Sequence, residues 1–194
     1  MTRDKMIARL KGKISEKRFE HSLGVEYTAA CLAMRYDVDV DKARTAGLLH
    51  DCAKGLATKT KLEKSQKHGL PISRYEEKNP DLLHAKLGAY YARYKYDVTD
   101  QIILDAITYH TTGRPNMSIL EKIIFVADYI EPNRKPLPEL DEIRKEAFTD
   151  LDTCVIHILK NTLDFLNGTT LELDIMTQKT YDFYVTNQMK MPKN

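Results

Sequence analysis

Apolar residues recur at i, i+3, i+4 and i+7 along most of this chain, the spacing that lays a single stripe along an α-helix, while the two-residue alternation of a strand is nearly absent. The pattern predicts helices over 3–11, 16–36, 40–54, 58–68, 80–95, 100–112, 119–130, 139–147, 150–167 and 173–188. Punctuation supports several of these limits. Asn79-Pro80 suits an N-cap followed by proline at the first helical position, Ser118 with Glu121 has the spacing of a capping box, and Gly55, Gly69, Gly113 and Gly168 suit helix C-termini. The Pro-rich stretch from Glu131 to Pro138 is too short for an inter-domain linker and is expected to be a rigid loop. An all-α, single-domain helical bundle over residues 1–194 follows.

The apolar stripes carry an anomaly. His21 shares its face with Gly24, Val25, Thr28 and Leu32; His50 with Ala43, Ala46, Gly47 and Lys54; His84 with Leu87, Gly88 and Tyr91; His110 with Ile103, Ala106 and Ile107; Asp128 with Leu120, Ile124 and Ala127. Burying imidazoles and carboxylates together costs roughly several kcal/mol per group unless something compensates. Any one of these residues alone reads as a hydrogen-bonded core histidine or aspartate. Five helices each aiming a ligand-type residue inward, with Asp51 directly after His50, predict a shared metal site.

Length and composition narrow the class. At 194 residues with 42% hydrophobic and 30% charged residues the chain suits one domain with a sizeable core. No apolar run approaches the roughly 20 residues of a membrane span, and the N-terminal MTRDKMIARLKGK lacks the apolar stretch of a signal peptide, so a cytoplasmic protein without a membrane partner is expected. The net charge of +2, with scattered basic residues, argues against a dedicated nucleic-acid binder. Cys31, Cys52 and Cys154 show no CxxC spacing and are expected to be small core residues.

Imidazole and carboxylate ligands without thiolate suit iron, manganese, cobalt, nickel or zinc, as one ion or two. With two ions Asp51 is the candidate bridge, and a spacing of about 3.5–4 Å would activate a shared water toward a phosphorus atom. Lys54, one turn beyond His50, and Arg134, just beyond Asp128, are the candidate phosphate contacts; Arg18, Arg114 and the Thr111 hydroxyl are further ones. His68, in the last turn of a Lys-rich helix, and His157, within CVIHILKNTL, are assigned no chemical role.

His21, His50-Asp51 and Asp128 resemble the H…HD…D signature of the HD-domain metal-dependent phosphohydrolases. The longer segments Arg18–Val25, Gly47–Lys54, Tyr109–Gly113 and Ala127–Arg134 are similar to the bacterial symmetrical bis(5′-nucleosyl)-tetraphosphatases, which split diadenosine tetraphosphate into two ADP. The resemblance spans residues 15–187. It implies an HD-domain bundle with His21, His50, Asp51 and Asp128 as iron ligands and with His84 and His110 either completing a second metal site or meeting the phosphate. It implies Asp51, Lys54 and Arg134 as catalytic groups, and a substrate that also touches His21, His84, His110, Thr111 and Asp128. Leu171, Glu172, Leu173, Asp174, Ile175 and Met176 would border the nucleotide, although that segment matches the family pattern poorly. His110 is followed by Thr111-Thr112-Gly113 rather than the loop of the cyclic-dinucleotide phosphodiesterases, and Lys54-Gly55 stands where the guanosine tetraphosphate hydrolases carry Glu-Asp. Two alternatives stand beside this reading: a nucleotide phosphatase or phosphodiesterase of other specificity, and a metal-binding nucleotide sensor that does not turn over. A homodimer is left open.

Overall fold

The computed structural model describes residues 1–168 and 174–190. Among them are α1 (Arg3–Lys11), α2 (Glu16–Arg35), α3 (Val40–Leu49), α4 (Thr58–Lys67), α5 (Arg74–Lys78), a 3-10 turn over Pro80–Leu82, α6 (Leu83–Lys95), α7 (Gln101–Tyr109), α8 (Ile119–Ile130), α9 (Leu140–Glu146), α10 (Leu151–Asn167) and α11 (Ile175–Lys190). The described residues contain no strand, and none of their helices is long and apolar enough to cross a membrane.

Helix α8 organises the bundle. Its start is set by a full capping box between Ser118 and Glu121. Leu120, Ile123, Ile124, Ala127 and Ile130 are buried, and the helix packs on α2, α3, α7 and α10. Fully buried Leu32, Leu48, Leu49, Leu87, Ile107, Ile143 and Ile158 complete one continuous core, each such side chain worth about 1.5–3 kcal/mol of transfer free energy. The α2–α3 pair is the most intimate. A Cβ on Gly47 would lie 3.0 Å from the Glu26 Cα and the Val25 carbonyl oxygen, tighter than most Cβ contacts and against backbone, so glycine lets the two helices approach this closely.

The helix limits differ from the periodic reading in an instructive way. The helix predicted over 40–54 stops at Leu49, and the one predicted over 100–112 stops at Tyr109. In both, the next residue is a histidine whose Nδ1 donates to the carbonyl three residues back, His50 to Gly47 and His110 to Ile107, each at 2.7 Å. The side chain takes a carbonyl near the helix end, and the ladder breaks there. Residues 80–95 divide into the 3-10 turn and α6, with Asn79 and Pro80 at the start of the turn. The five-residue α5 escaped prediction because it is too short for a period, although its Ser73–Glu76 capping box was visible.

Cys31 is exposed, contrary to the expectation of a core residue, whereas Cys52 and Cys154 are buried. Burial pushes the Cys52 thiol up to about 12, and its Sγ faces the Gly88 carbonyl, so it packs and does not react.

Candidate metal centre

Each element delivers its ligand-type residue from a fixed position. His21 lies in the second turn of α2, His50 closes α3 with Asp51 immediately after it, His84 opens α6, His110 closes α7, and Asp128 lies in the last turn of α8. All converge on one point. The Nε2 atoms of His21 and His50 are 3.3 Å apart, and those of His84 and His110 are 3.1 Å apart. Asp128 Oδ1 lies 3.0 Å from His21 Nε2 and 3.8 Å from His50 Nε2. Asp51 stands between the two imidazole pairs. Its Oδ2 is 3.5 Å from His50 and 3.9 Å from His21, and its Oδ1 is 3.2 Å from His84 and 3.6 Å from His110.

The other ring nitrogens decide the protonation of this cluster. Nδ1 of His50 faces the Gly47 carbonyl, Nδ1 of His84 the Asp81 carbonyl, Nδ1 of His110 the Ile107 carbonyl, and Nδ1 of His21 the Glu131 carboxylate at 3.1 Å. A carbonyl or carboxylate oxygen accepts and cannot donate, so every Nδ1 carries the proton. A neutral ring then has only a lone pair at Nε2. The lone pairs of His50, His84 and His110 and the two carboxylates face one another and repel unless a cation joins them, while His21, between Asp128 and Glu131, is the ring that two carboxylates hold protonated until a metal displaces that proton. Asp51 Oδ1, buried and without a hydrogen-bond partner despite its two imidazole neighbours, carries the same message. The donor set therefore fits one or two divalent ions, and three overlapping triads bring their ligand atoms within 4.8 Å.

The electrostatics agree with the geometry. Burial pushes His84 down to about 4 against the pull of Asp51, which leaves it neutral at physiological pH with its lone pair available. Burial opposes ionisation of Asp51 and of Asp128, yet the surrounding imidazoles, His50 foremost at Asp51 and His21 at Asp128, outweigh it and hold both carboxyls well below the ordinary carboxylate range. Burial also disfavours charge on His21, and Asp128 and Glu131 outweigh it, so its pKa is raised. The pocket is poised for positive charge.

Glu131 was not singled out from the sequence. It is buried, accepts from His21 Nδ1 through Oε1 and from the Asn133 N–H through Oε2 at 2.7 Å, and thereby orients an imidazole from outside the ligand shell. Gly24 makes the room, since a Cβ there would come within 2.4 Å of Glu131 Oε2. The clue was present in Gly24, on the His21 face, and in a carboxylate three residues beyond Asp128. Gly24→Ala is expected to displace Glu131 and weaken metal affinity by roughly 10–100-fold, as loss of an outer-shell partner does. Metal titration of the folded variant, compared with Glu131→Ala, checks this; wild-type affinity in both would show that His21 needs no such support.

A cavity of about 840 Å³ opens beside the cluster. Arg18, Asp51, Lys54, His84, His110, Thr111, Asp128 and Arg134 line its polar floor, so all the expected cationic and hydroxyl phosphate contacts but one are gathered there, while His21, also expected to touch the substrate, is not part of the lining. Arg18 Nη1 bonds Asp51 Oδ2 at 2.8 Å, Lys54 Nζ lies 3.3 Å from the His84 ring, and Arg134 Nη1 is 3.9 Å from Asp128 Oδ1. Burial lowers the Lys54 pKa, with Asp51 and Asp128 opposing. The exception is Arg114, which is spent on Glu121 at 2.6 Å and Asp105 at 3.3 Å. The far wall was not anticipated: Tyr129, Leu137, Pro138, Ile158, Asn161 and Phe165, from the end of α8, the Pro-rich loop and α10, form it. Of the segment expected to border the nucleotide, Leu171, Glu172 and Leu173 lie outside the described residues. Asp174, Ile175 and Met176 do not line the cavity; Asp174 accepts from the Met176 N–H at 2.8 Å and starts α11. His68 ends α4 stacked on Tyr90, and His157 lies between two glutamates.

Comparison with known proteins agrees with this arrangement. The HD domain family model matches residues 18–133. The symmetrical bis(5′-nucleosyl)-tetraphosphatase of Bacillus subtilis (strain 168) is 41% identical over 186 residues, covering 96% of this chain and 99% of the relative. The protein of the same name from Halalkalibacterium halodurans is 43% identical over 166 residues, 86% of this chain and 88% of the relative. The crystal structure of a predicted HD superfamily hydrolase involved in NAD metabolism from Clostridium acetobutylicum superposes with a TM-score of 0.93 at 40% identity, covering 96% of this chain and 98% of the other. With the signature side chains meeting at one buried point and the likeness running nearly end to end, the chain belongs to the HD-domain family, in the group of the symmetrical bis(5′-nucleosyl)-tetraphosphatases.

Proposed function

We propose that the protein hydrolyses dinucleoside polyphosphates in a metal-dependent reaction, with diadenosine tetraphosphate and water giving two ADP. The observation that carries this is the convergence of four imidazole Nε2 atoms and two carboxylates beside a cavity that also presents Lys54 and Arg134. His21, His50, Asp51 and Asp128 would hold the metal, which we take to be iron, with manganese, cobalt, nickel or zinc as substitutes that the same donors accept. The division of Asp51 between two imidazole pairs supports room for a second ion next to His84 and His110. When bound, the metal supplies Lewis acidity and an activated water.

The chain's own groups do the rest. Lys54 and Arg134 neutralise the phosphates and the charge that builds on the departing nucleotide. Thr111 offers a hydroxyl to a phosphate oxygen, and Arg18 holds Asp51 from the cavity side. His84, His110 and Asp128 line the path of the phosphate nearest the ligands, with His21 behind Asp128. The apolar wall of Ile158, Leu137 and Phe165 gives a nucleoside a place to leave water. We place the enzyme in the cytoplasm, where nucleotides abound and three free cysteines persist, acting on a small molecule and not on nucleic acid or a membrane. Its state as monomer or homodimer plays no part in this reading.

The position of the broken bond tests the proposal. If one ADP-sized half is held beside the ligands, scission falls between the second and third phosphates. Incubation of the metal-replete protein with diadenosine tetraphosphate should give ADP as the sole initial nucleotide, with oxygen from labelled water in half of it. Initial AMP and ATP would refute symmetrical cleavage. No cleavage with iron, cobalt or manganese present would refute the enzyme reading and favour a nucleotide sensor.

A further inference from the structure

His157 was given no role by the sequence, and the metal centre does not use it, yet its surroundings are those of a built contact. The ring lies between two acceptors: Nδ1 is 2.9 Å from Glu146 Oε2, and Nε2 is 3.0 Å from Glu139 Oε2. Carboxylates only accept, so both ring nitrogens donate and the ring is an imidazolium. The two glutamates raise its pKa against the opposing effect of burial. Glu146 ends α9, while Glu139 is the last residue before that helix and lines the cavity.

Glu139 also has a left-handed backbone, with φ of 55°. A residue with a Cβ adopts that conformation at a small cost that its contacts offset, here the Ile143 N–H bonded to the Glu139 carbonyl at 3.0 Å and side chains from α10. One turn beyond His157, Asn161 Nδ2 donates to the Pro138 carbonyl at 3.4 Å, so two side chains on one face of α10 grip two consecutive loop residues. The other end of the loop is tied by Arg144, which donates to the Ile130 carbonyl at 3.1 Å and the Glu131 carbonyl at 3.2 Å, and by the Arg134 N–H bonded to the Glu131 carbonyl. Arg134 therefore stands on a span of chain fixed at both ends. Its far end is fixed by His157.

We propose that His157 is a positioning residue: by clamping Glu139 to α10 it holds the loop that presents Arg134 and closes one side of the cavity. It also neutralises a carboxylate at the rim of a site built for a polyanion. The kinetic consequence rests on the proposed polyphosphate reaction; the structural one does not. Losing the clamp should weaken substrate and transition state alike, because it loosens a wall and leaves the metal ligands in place.

The test pairs two measurements on metal-loaded, full-length protein. In His157→Ala, KM for diadenosine tetraphosphate should rise about five- to tenfold with kcat within about twofold, the pattern of lost uniform binding. Amide hydrogen exchange over residues 133–140 should quicken about tenfold or more, with the rest of the bundle unchanged. Glu139→Ala should loosen the same stretch, and the double variant His157→Ala/Glu139→Ala should be no looser than His157→Ala alone, since the contact between the two residues is already lost there. Unchanged exchange in folded His157→Ala, or additive loosening in the double variant, would overturn the proposal. Should His157→Ala fail to fold, His157→Gln preserves most of the volume and only one donor group, and the same exchange measurement decides. A wild-type protein that releases no ADP would count against the reaction, while exchange would still report on the clamp.

Discussion

Asp51→Ala is expected to lower metal content and turnover together, each by more than about 100-fold, because loss of an outer-shell partner alone costs roughly 10–100-fold. Asp51 is the residue whose two oxygens face different imidazole pairs, His21 and His50 on one side and His84 and His110 on the other. Removing it leaves the four imidazoles with one carboxylate, and it frees Arg18, whose guanidinium would then add positive charge where a cation must sit. The fold itself should survive. Asp51 lies in the turn after α3, and the Lys54 N–H bond to its carbonyl is made by the backbone. Metal analysis by mass spectrometry, circular dichroism and an ADP-release assay on the same preparation check the three parts. A folded Asp51→Ala protein with wild-type metal and wild-type activity would sink the shared-site model.

The periodic residues were the legible part of this chain. Helix α8 announces itself through Ser118, Glu121 and the run of Leu120, Ile124 and Ala127, and the structure returns it over the predicted span. His21, His84 and Asp128 were visible because a polar residue on an apolar stripe contradicts the stripe. His50 and His110 share that signal, yet the apolar spacing extends their helices beyond the observed ends at Leu49 and Tyr109. A side chain that takes its own helix's carbonyl leaves no trace in hydrophobic spacing.

Glu131 was missed for a related reason. It follows the last turn of α8, where no period applies, and its importance lies in a contact with His21 across 110 residues of sequence. The α10 wall was missed because Ile158 and Phe165 look like ordinary core positions; only the tertiary fold shows that the Pro-rich loop leaves them facing a cavity. Arg114 shows the converse. Its place after His110 suggested phosphate, but Glu121, free to be read as the end of a capping box, also claims that guanidinium.

Lys54→Ala and Arg134→Ala should separate rate from metal. Neither side chain can coordinate a cation, and both line the cavity next to residues that can: Lys54 at the His84 ring, Arg134 beside Asp128. Each replacement is therefore expected to leave metal content near that of the wild type while kcat/KM falls, by about 1.5–3 kcal/mol for a charge-assisted contact, or roughly ten- to 150-fold. The two should not be equal. Lys54 is the more deeply set, in surroundings dry enough to lower its pKa, so its charge acts on a phosphate with little screening. The Arg134 side chain is 34% exposed and shares its field with water, which places it at the lower end of the range. Steady-state kinetics normalised to bound metal make the comparison. If both variants lose metal and the fraction that keeps it turns over at the wild-type rate, these two cations serve the metal centre and not the polyphosphate.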